Sequence, residues 1–337
     1  MAEQQLVNRP WLITGPVLAD MERRARMGIR PTKTAMAAAI EARRVKTVGS
    51  VAVIPIIGPI FHRSSYYMDY FGGASIQGLR ACFRQALADP EISAIVFDVD
   101  SPGGEVDGTP EFAAEVFAAR GQKPIFSVVN TLQCSAGHYI GVQADEVIMS
   151  PSATVGSIGV WVLHQNWKGF FELMGVENTF IIAGDNKVDG NPYEPLSDEA
   201  KADLQTFVSD IHRDFLSAVG RARGGLTGKA IKDAYGQGKV YSARDAVKLG
   251  IVDRIGTFDD VVARLAGVKR PSNRRADADW RTELFADLPV VQELEASAAV
   301  DVLAIDVVSP EAELARLAAA DRDYLDATLA LRRHSPV

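Results

Sequence analysis

Three short segments of the 337-residue chain carry residue types that can act together on a substrate. In the first, Ser101-Pro102-Gly103-Gly104 directly follows AIVFDVD, a run with the β-branched character of a strand. Two glycines at the carboxyl end of a strand let backbone N–H groups approach a ligand closely, and ligands of open α/β sheets gather at those ends. A plain strand-to-helix turn fits the same four residues. In the second, Cys134-Ser135-Ala136-Gly137-His138-Tyr139-Ile140-Gly141 puts a serine at a helix start, where first-turn N–H groups stabilise developing negative charge. Taken alone, Ser135 reads first as a helix cap. In the third, the polar turn Gly184-Asp185-Asn186-Lys187-Val188-Asp189-Gly190 follows the apolar run Thr179–Ile182. A serine needs a base to become a nucleophile, and a lysine serves when burial favours its neutral form. An isolated loop lysine reads as a solvated charge.

The elements that must position these residues follow from periodicity. Residues 1–47 read as an irregular arm ending in a helix over Thr32–Arg44. VAVIPIIGPI, from Val51, reads as a buried strand and loop. Leu79, Cys82, Phe83, Ala86 and Leu87 make a helical stripe over Ile76–Ala88, stopped at Asp89-Pro90. Strands over Ile92–Val99, Pro124–Val129 and Glu146–Met149 alternate with helices from Thr109-Pro110 and over residues 136–143. Ser101–Gly104 reads as a turn and Thr179–Ile182 as a strand. A long helix capped by Ser197 runs to about Gly220, and Ser242 with Asp245 forms a capping box ended by Gly250. Strand–helix alternation implies an α/β fold with a mostly parallel sheet covered on both faces. The expected division is an N-terminal arm (1–47), a main domain (48–267), a polar, basic linker (268–280) and an acidic helical tail (281–337).

Taken together, these segments resemble the S49 peptidase family, which comprises signal peptide peptidase A and the phage capsid-assembly proteases. The resemblance spans roughly residues 50–265. It rests on SPGG after a strand, the Ser135 helix start, PSATVGSIGV (151–160), the Lys187 loop, and GKVYSARDA followed by KLGIVDRIG. It implies a ClpP/crotonase-like fold, α/β with mostly parallel sheets and flanking helices, plus the helical arm and tail. It implies a serine endopeptidase with Ser135 as nucleophile and Lys187 as general base. The oxyanion hole falls to the N–H groups of Gly104 and Ala136. Gly103, Ser157, Ile158 and Gly159 line the substrate cleft, where an edge strand pairs an extended peptide. The implied partners are a protein or peptide substrate, further copies of the chain in a ring, and phage capsid, portal or scaffold proteins. The implied role is trimming these proteins during phage or prophage head maturation. No cofactor is implied. His138 departs from the family pattern and leaves a Ser135–His138 pair as an alternative base arrangement. Two further readings stay open: a catalytically silent protease-like assembly factor, and a crotonase-like acyl-CoA enzyme.

Composition narrows the field. Lys and Arg total 36 against 43 Asp and Glu, a net charge of −7. Phosphate neutralisation needs clustered cations, so general nucleic-acid binding is not expected. Two cysteines, Cys82 and Cys134, give no disulfide framework and fit a reducing compartment. His62, His164, His212 and His334 form no metal-binding spacing. Gly224–Lys229 suggests a phosphate loop, but Arg223 and Ala230 stand where a glycine and a hydroxyl residue are required. No apolar run reaches the ~18 residues of a membrane span, and the N-terminal stretch lacks a signal-peptide pattern. The expected location is the bacterial host cytoplasm or the inside of a phage procapsid, without a membrane anchor.

Overall fold

The computed structural model describes residues 10–267 except 28, 30, 65–67, 69 and 70. They belong to a compact unit that ends at Arg270. The expected linker and acidic tail lie outside the described residues.

The strands are β1 (Trp11–Ile13), β2 (Lys46–Val48), β3 (Val51–Ile57), β4 (Ile60–Phe61), β5 (Ala74–Ser75), β6 (Ala94–Ser101), β7 (Gly103–Glu105), β8 (Ile125–Cys134), β9 (Glu146–Met149), β10 (Thr154–Gly156), β11 (Val240–Ser242) and β12 (Arg254–Ile255). The helices are α1 (Gly15–Arg26), α2 (Lys33–Ala42), α3 (Ile76–Ala88), α4 (Thr109–Ala118), α5 (Ala136–Gly141), α6 (Lys168–Leu173), α7 (Asp198–Ala222), α8 (Gly228–Ala234), α9 (Ala243–Lys248) and α10 (Phe258–Leu265). Side-chain caps start several helices, at the expected Ser197 and Ser242 and also at Ser75. Ser75 accepts from the Gly78 N–H, Ser197 from Ala200 and Ser242 from Asp245.

The larger sheet runs β11-β10-β8-β6-β3-β2, with β9 pairing both β8 and β12. Its centre is parallel: β3 pairs β6, β6 pairs β8, and β8 pairs both β9 and β10. Parallel strands covered on both faces read as continuous apolar runs, and β3 is buried from Val51 to Ile56. The architecture is thus the expected α/β class of mostly parallel strands with flanking helices. On one face Phe83 of α3, Phe97 of β6 and Phe112 of α4 meet with ring centroids 5.8 to 6.3 Å apart.

A second sheet, β1-β7-β4-β5, stands over the carboxyl end of β6. Here the structure departs from the sequence reading in three places. Gly103 and Gly104 are strand residues rather than turn residues, because β1 and β4 pair them from both sides. Residues 11–26 are a strand and a helix where an irregular arm was expected, and Trp11, Ile13, Leu18 and Met21 bury against Phe61 and Phe71. Thr179–Ile182 is not a strand. Ile181 is 98% exposed, and no sheet edge pairs with it. An apolar run gives a tendency, but a strand exists only where a partner supplies hydrogen bonds.

β8 is the element that reaches the site. Its first half pairs β9 and its last three residues pair β10. Against β6 its register shifts between Val99 and Asp100, so Val99 faces Val129 but Asp100 faces Leu132. A bulge of this kind re-aims the residues beyond it. Among the described residues no helix is long and apolar enough to cross a membrane.

Under the opposite face, Asp98 of β6 is largely buried, and its carboxyl pKa is raised to about 6. Burial is the main cause and neighbouring Asp100 adds to it, against a hydrogen bond from the Asn130 amide at 3.3 Å. The folded state therefore holds a proton that an unfolded chain releases near 3.8, and stability falls as pH rises between those values. Asp98→Asn should raise folding stability by roughly 2 kcal/mol near pH 7.5, the gain shrinking toward zero by about pH 4. Denaturant melts at the two pH values read it, and an equal gain at both would sink the assignment.

Candidate active site

Ser135 is the single residue between β8 and α5. Its backbone lies at φ 53° and ψ −118°, a conformation that side-chain-bearing residues seldom adopt. Such a residue costs on the order of 1–3 kcal/mol and persists only where its surroundings over-determine it. Here they do. Its N–H donates to the Gly156 carbonyl at 2.9 Å, and its own carbonyl accepts from Tyr139 N–H at 2.8 Å. The side chain makes no capping hydrogen bond, so Ser135 is not a cap in the ordinary sense. The N–H groups of Ala136, Gly137 and His138 come before the first backbone bond inside α5 and point at its start.

The first of the paired glycines comes up against this serine. Gly103 has φ 104°, and a Cβ built there would sit 2.8 Å from Ser135 Cβ and 2.0 Å from the Leu12 carbonyl oxygen. At Gly104 a Cβ would sit 1.9 Å from the Ile60 carbonyl oxygen. Both contacts include rigid backbone, so neither position has room for a side chain. Ser101 Oγ holds the approach, donating to the Gly58 carbonyl and accepting from Gly103 N–H.

The cleft candidates divide. Ser157 is a second strained residue, at φ 54°, with its N–H on the Lys239 carbonyl at 2.7 Å. Ile158 is fully buried, and Gly159 lies beside Gly238. Lys187 is placed on an exposed turn, its N–H bonded to the Gly184 carbonyl and its ammonium making no hydrogen bond with Ser135.

His138 makes no hydrogen bond with Ser135. It is fully buried, and Gln133 Nε2 donates to its Nδ1 at 3.3 Å, while Ser127 Oγ donates to Gln133 Oε1 at 2.6 Å. Nε2 therefore carries the proton and has no partner. Burial, and then the positive charge of Arg223, push its pKa down to about 3, so the ring is neutral.

Several residues that hold the site gave no signal in the sequence. Arg120, at the end of α4, donates to the carbonyls of Val142, Gln143 and Ala144 at the end of α5, and to Ala222 of α7. A cation on helix C-terminal carbonyls is favourable, but an arginine at a helix end reads in sequence as surface charge. Tyr139 stacks on Phe215 at 4.4 Å and ties α5 to α7. Arg223 grips both carboxylate oxygens of Asp253. Burial works to raise the Asp253 pKa, but the hydrogen bonds from Arg223 and the Val147 N–H outweigh it and hold the carboxyl below its ordinary value.

The strain at Ser135 gives a test. Ser135→Gly relieves it and Ser135→Ala does not, so the glycine variant should be the more stable by roughly 1 kcal/mol. Elsewhere in a structured region glycine is the destabilising choice. Parallel thermal melts would refute the strain if alanine proved the more stable.

The chain is similar to four known families or proteins. A family model described as peptidase family S49 matches residues 118–270. Capsid assembly protease C of Escherichia phage lambda is 32% identical over 222 residues, 66% of this chain and 50% of that protein. Head-tail preconnector protein GP5 of Enterobacteria phage P21 is 29% identical over 226 residues, 67% of this chain and 44% of that one. The chain thus spans about half the length of the curated relatives it matches. Among solved structures, a ClpP1 variant from Listeria monocytogenes is similar with a TM-score of 0.40 and 13% identity, covering 67% of this chain and 98% of that one.

Proposed function

The chain carries a peptidase family S49 domain, and from that premise we propose that it is a serine endopeptidase with Ser135 as nucleophile and Lys187 as general base. The observation that carries this reading is Ser135 itself. It is held in a strained backbone at a helix start, with its hydroxyl uncommitted to capping and Gly103 pressed against it. In this reading a neutral lysine takes the Ser135 proton as Oγ attacks the peptide carbonyl. The oxyanion is held by the N–H groups of Gly104 and Ala136. The ammonium then returns the proton to the leaving amine, and water hydrolyses the acyl-enzyme by the same steps.

In the single chain Lys187 faces solvent, so the dyad is completed by packing. The flanking segment presents Phe170, Leu173, Met174 and Ile181 to water, with Leu173 at 89% exposure. Exposed apolar surface of this extent marks an interface, and a second copy of the chain covering it would desolvate the lysine turn. Ring assembly supplies such a copy. The likeness to phage proteins named for capsid assembly and head-tail preconnection supports capsid, portal or scaffold proteins as substrates, in the host cytoplasm or inside a procapsid. The competing reading is a silent assembly factor, which the exposed position of Lys187 also suits.

Purified chain at assembly-promoting concentration, incubated with unfolded casein and followed by intact mass spectrometry, separates the two. Wild type should cleave, and Ser135→Ala and Lys187→Ala should each lose roughly a thousandfold or more while remaining folded. His138→Gln should stay within a few fold, because the ring makes no hydrogen bond with the serine and burial leaves it a weak base. Activity retained by Lys187→Ala but lost by His138→Gln overturns the base assignment. Inert wild type that assembles normally favours the assembly factor.

A further inference from the structure

The strand β1 lies where an extended peptide would have to lie to meet Ser135. It is antiparallel to β7, with Trp11 opposite Glu105, Leu12 opposite Gly104 and Ile13 opposite Gly103. On its other edge Trp11 exchanges both backbone hydrogen bonds with Trp161, at 2.9 and 3.3 Å. The Trp161 indole N–H donates to the Ile13 carbonyl at 2.9 Å. Trp11 and Ile13 therefore point their polar groups toward Trp161, and Leu12 points its own toward β7. Thr14 N–H donates to the Pro102 carbonyl at 3.0 Å. Hydrogen-bonded pairs recur at every second residue of an antiparallel ladder, so Leu12 and Gly104 are the next such pair. The Gly104 N–H, the donor assigned to the oxyanion, is thus spent on the Leu12 carbonyl.

That carbonyl is beside the serine. The point where a Gly103 Cβ would sit is 2.9 Å from the Leu12 carbonyl carbon and 2.8 Å from Ser135 Cβ. Ser135 is only 1% exposed, so nothing reaches it while this arrangement holds. The Leu12 side chain is fully buried in the main apolar core. A chain hydrogen-bonded on both edges, with a carbonyl at the oxyanion donor and a buried apolar side chain, has the pose of a bound peptide.

We propose that Trp11–Ile13 is a substrate-like occupant of the peptide groove, supplied by the chain itself, which an incoming peptide must displace with an apolar residue at the position of Leu12. This rests on the peptidase reading of Ser135. The occupant is short, and α1 behind it packs through Leu18 and Met21 against Phe61 and Phe71, which returns the strand to the groove when it is empty. The apparent affinity for any peptide is lowered by the fraction of chains whose groove is filled.

Trp11 and Glu105 form a non-hydrogen-bonded pair of the ladder, in which Cα atoms approach to about 4.5 Å, within disulfide reach. The full chain carrying Ser135→Ala, Trp11→Cys and Glu105→Cys can then be locked by oxidation and opened by reduction. Mass spectrometry of the linked fragments identifies the bond against Cys82 and Cys134. The probe is a fluorescein-labelled peptide of residues 9–15, Arg-Pro-Trp-Leu-Ile-Thr-Gly, followed by anisotropy. The reduced chain should bind it at least about tenfold more tightly than the oxidised chain. The same peptide with Asp in place of Leu should fail to bind. Equal affinity in the two redox states overturns the proposal. As a check that needs no cysteine pair, excess peptide added to the Ser135→Ala chain should speed hydrogen exchange at residues 11–13, and unchanged exchange with peptide bound would also overturn it. Redox-gated binding together with inert wild type on casein would leave the occupant standing and remove the peptidase reading. Casein cleavage at equal rates by locked and open chains with Ser135 intact would do the reverse.

Discussion

The hydrogen bond from Ser135 N–H to the Gly156 carbonyl is the constraint on which the site depends. It exists because β8 ends in parallel register with β10, Cys134 opposite Gly156. One residue later the chain must leave the sheet and start a helix. It does so through a left-handed backbone at a serine rather than a glycine. Everything that fixes the end of β8 holds that strain: the bulge against β6, the double pairing with β9 and β10, and the Arg120 clamp on the far end of α5. A mobile junction would relax, and the hydroxyl would turn to cap the helix.

The surroundings of Ser135 are almost without charge. His138 is neutral and fully satisfied only at Nδ1. Gln133 is committed between Ser127 and His138, and Gly141 is required there because a Cβ would come within 2.4 Å of Gln133 Oε1. Negative charge developing near Ser135 would meet backbone N–H groups rather than cations. Backbone donors are held by secondary structure and need no reorganisation as charge develops. The same poverty of charge means that a base must come from elsewhere.

Two surfaces of the chain differ in how well they are covered. The N-terminal strand and helix are buried closely over the glycine pair, whereas the segment from Lys168 to Ile182 lies open with large apolar side chains in water. The first is complete within one chain. The second is the kind of surface that association completes, and the lysine turn is its continuation.

The sequence by itself determined the strand–helix alternation, the serine caps, the parallel core and the segments around Ser135 and Gly103-Gly104. These depend on neighbours a few residues apart, through period, capping and the missing Cβ. Apolar Thr179–Ile182 had the same local character as β9 but no partner strand, and only the tertiary fold could withhold one. Trp11–Ile13 carried too short a pattern to announce a strand, and it became one because β7 and Trp161 offer hydrogen bonds on both edges. The strain at Ser135 and Ser157 was equally hidden, since neither residue type signals a positive φ. The position of Lys187 relative to the serine was also outside what spacing can fix. Pairing, strain and proximity are set by residues distant in the chain, and a local pattern carries no information about which of them will meet.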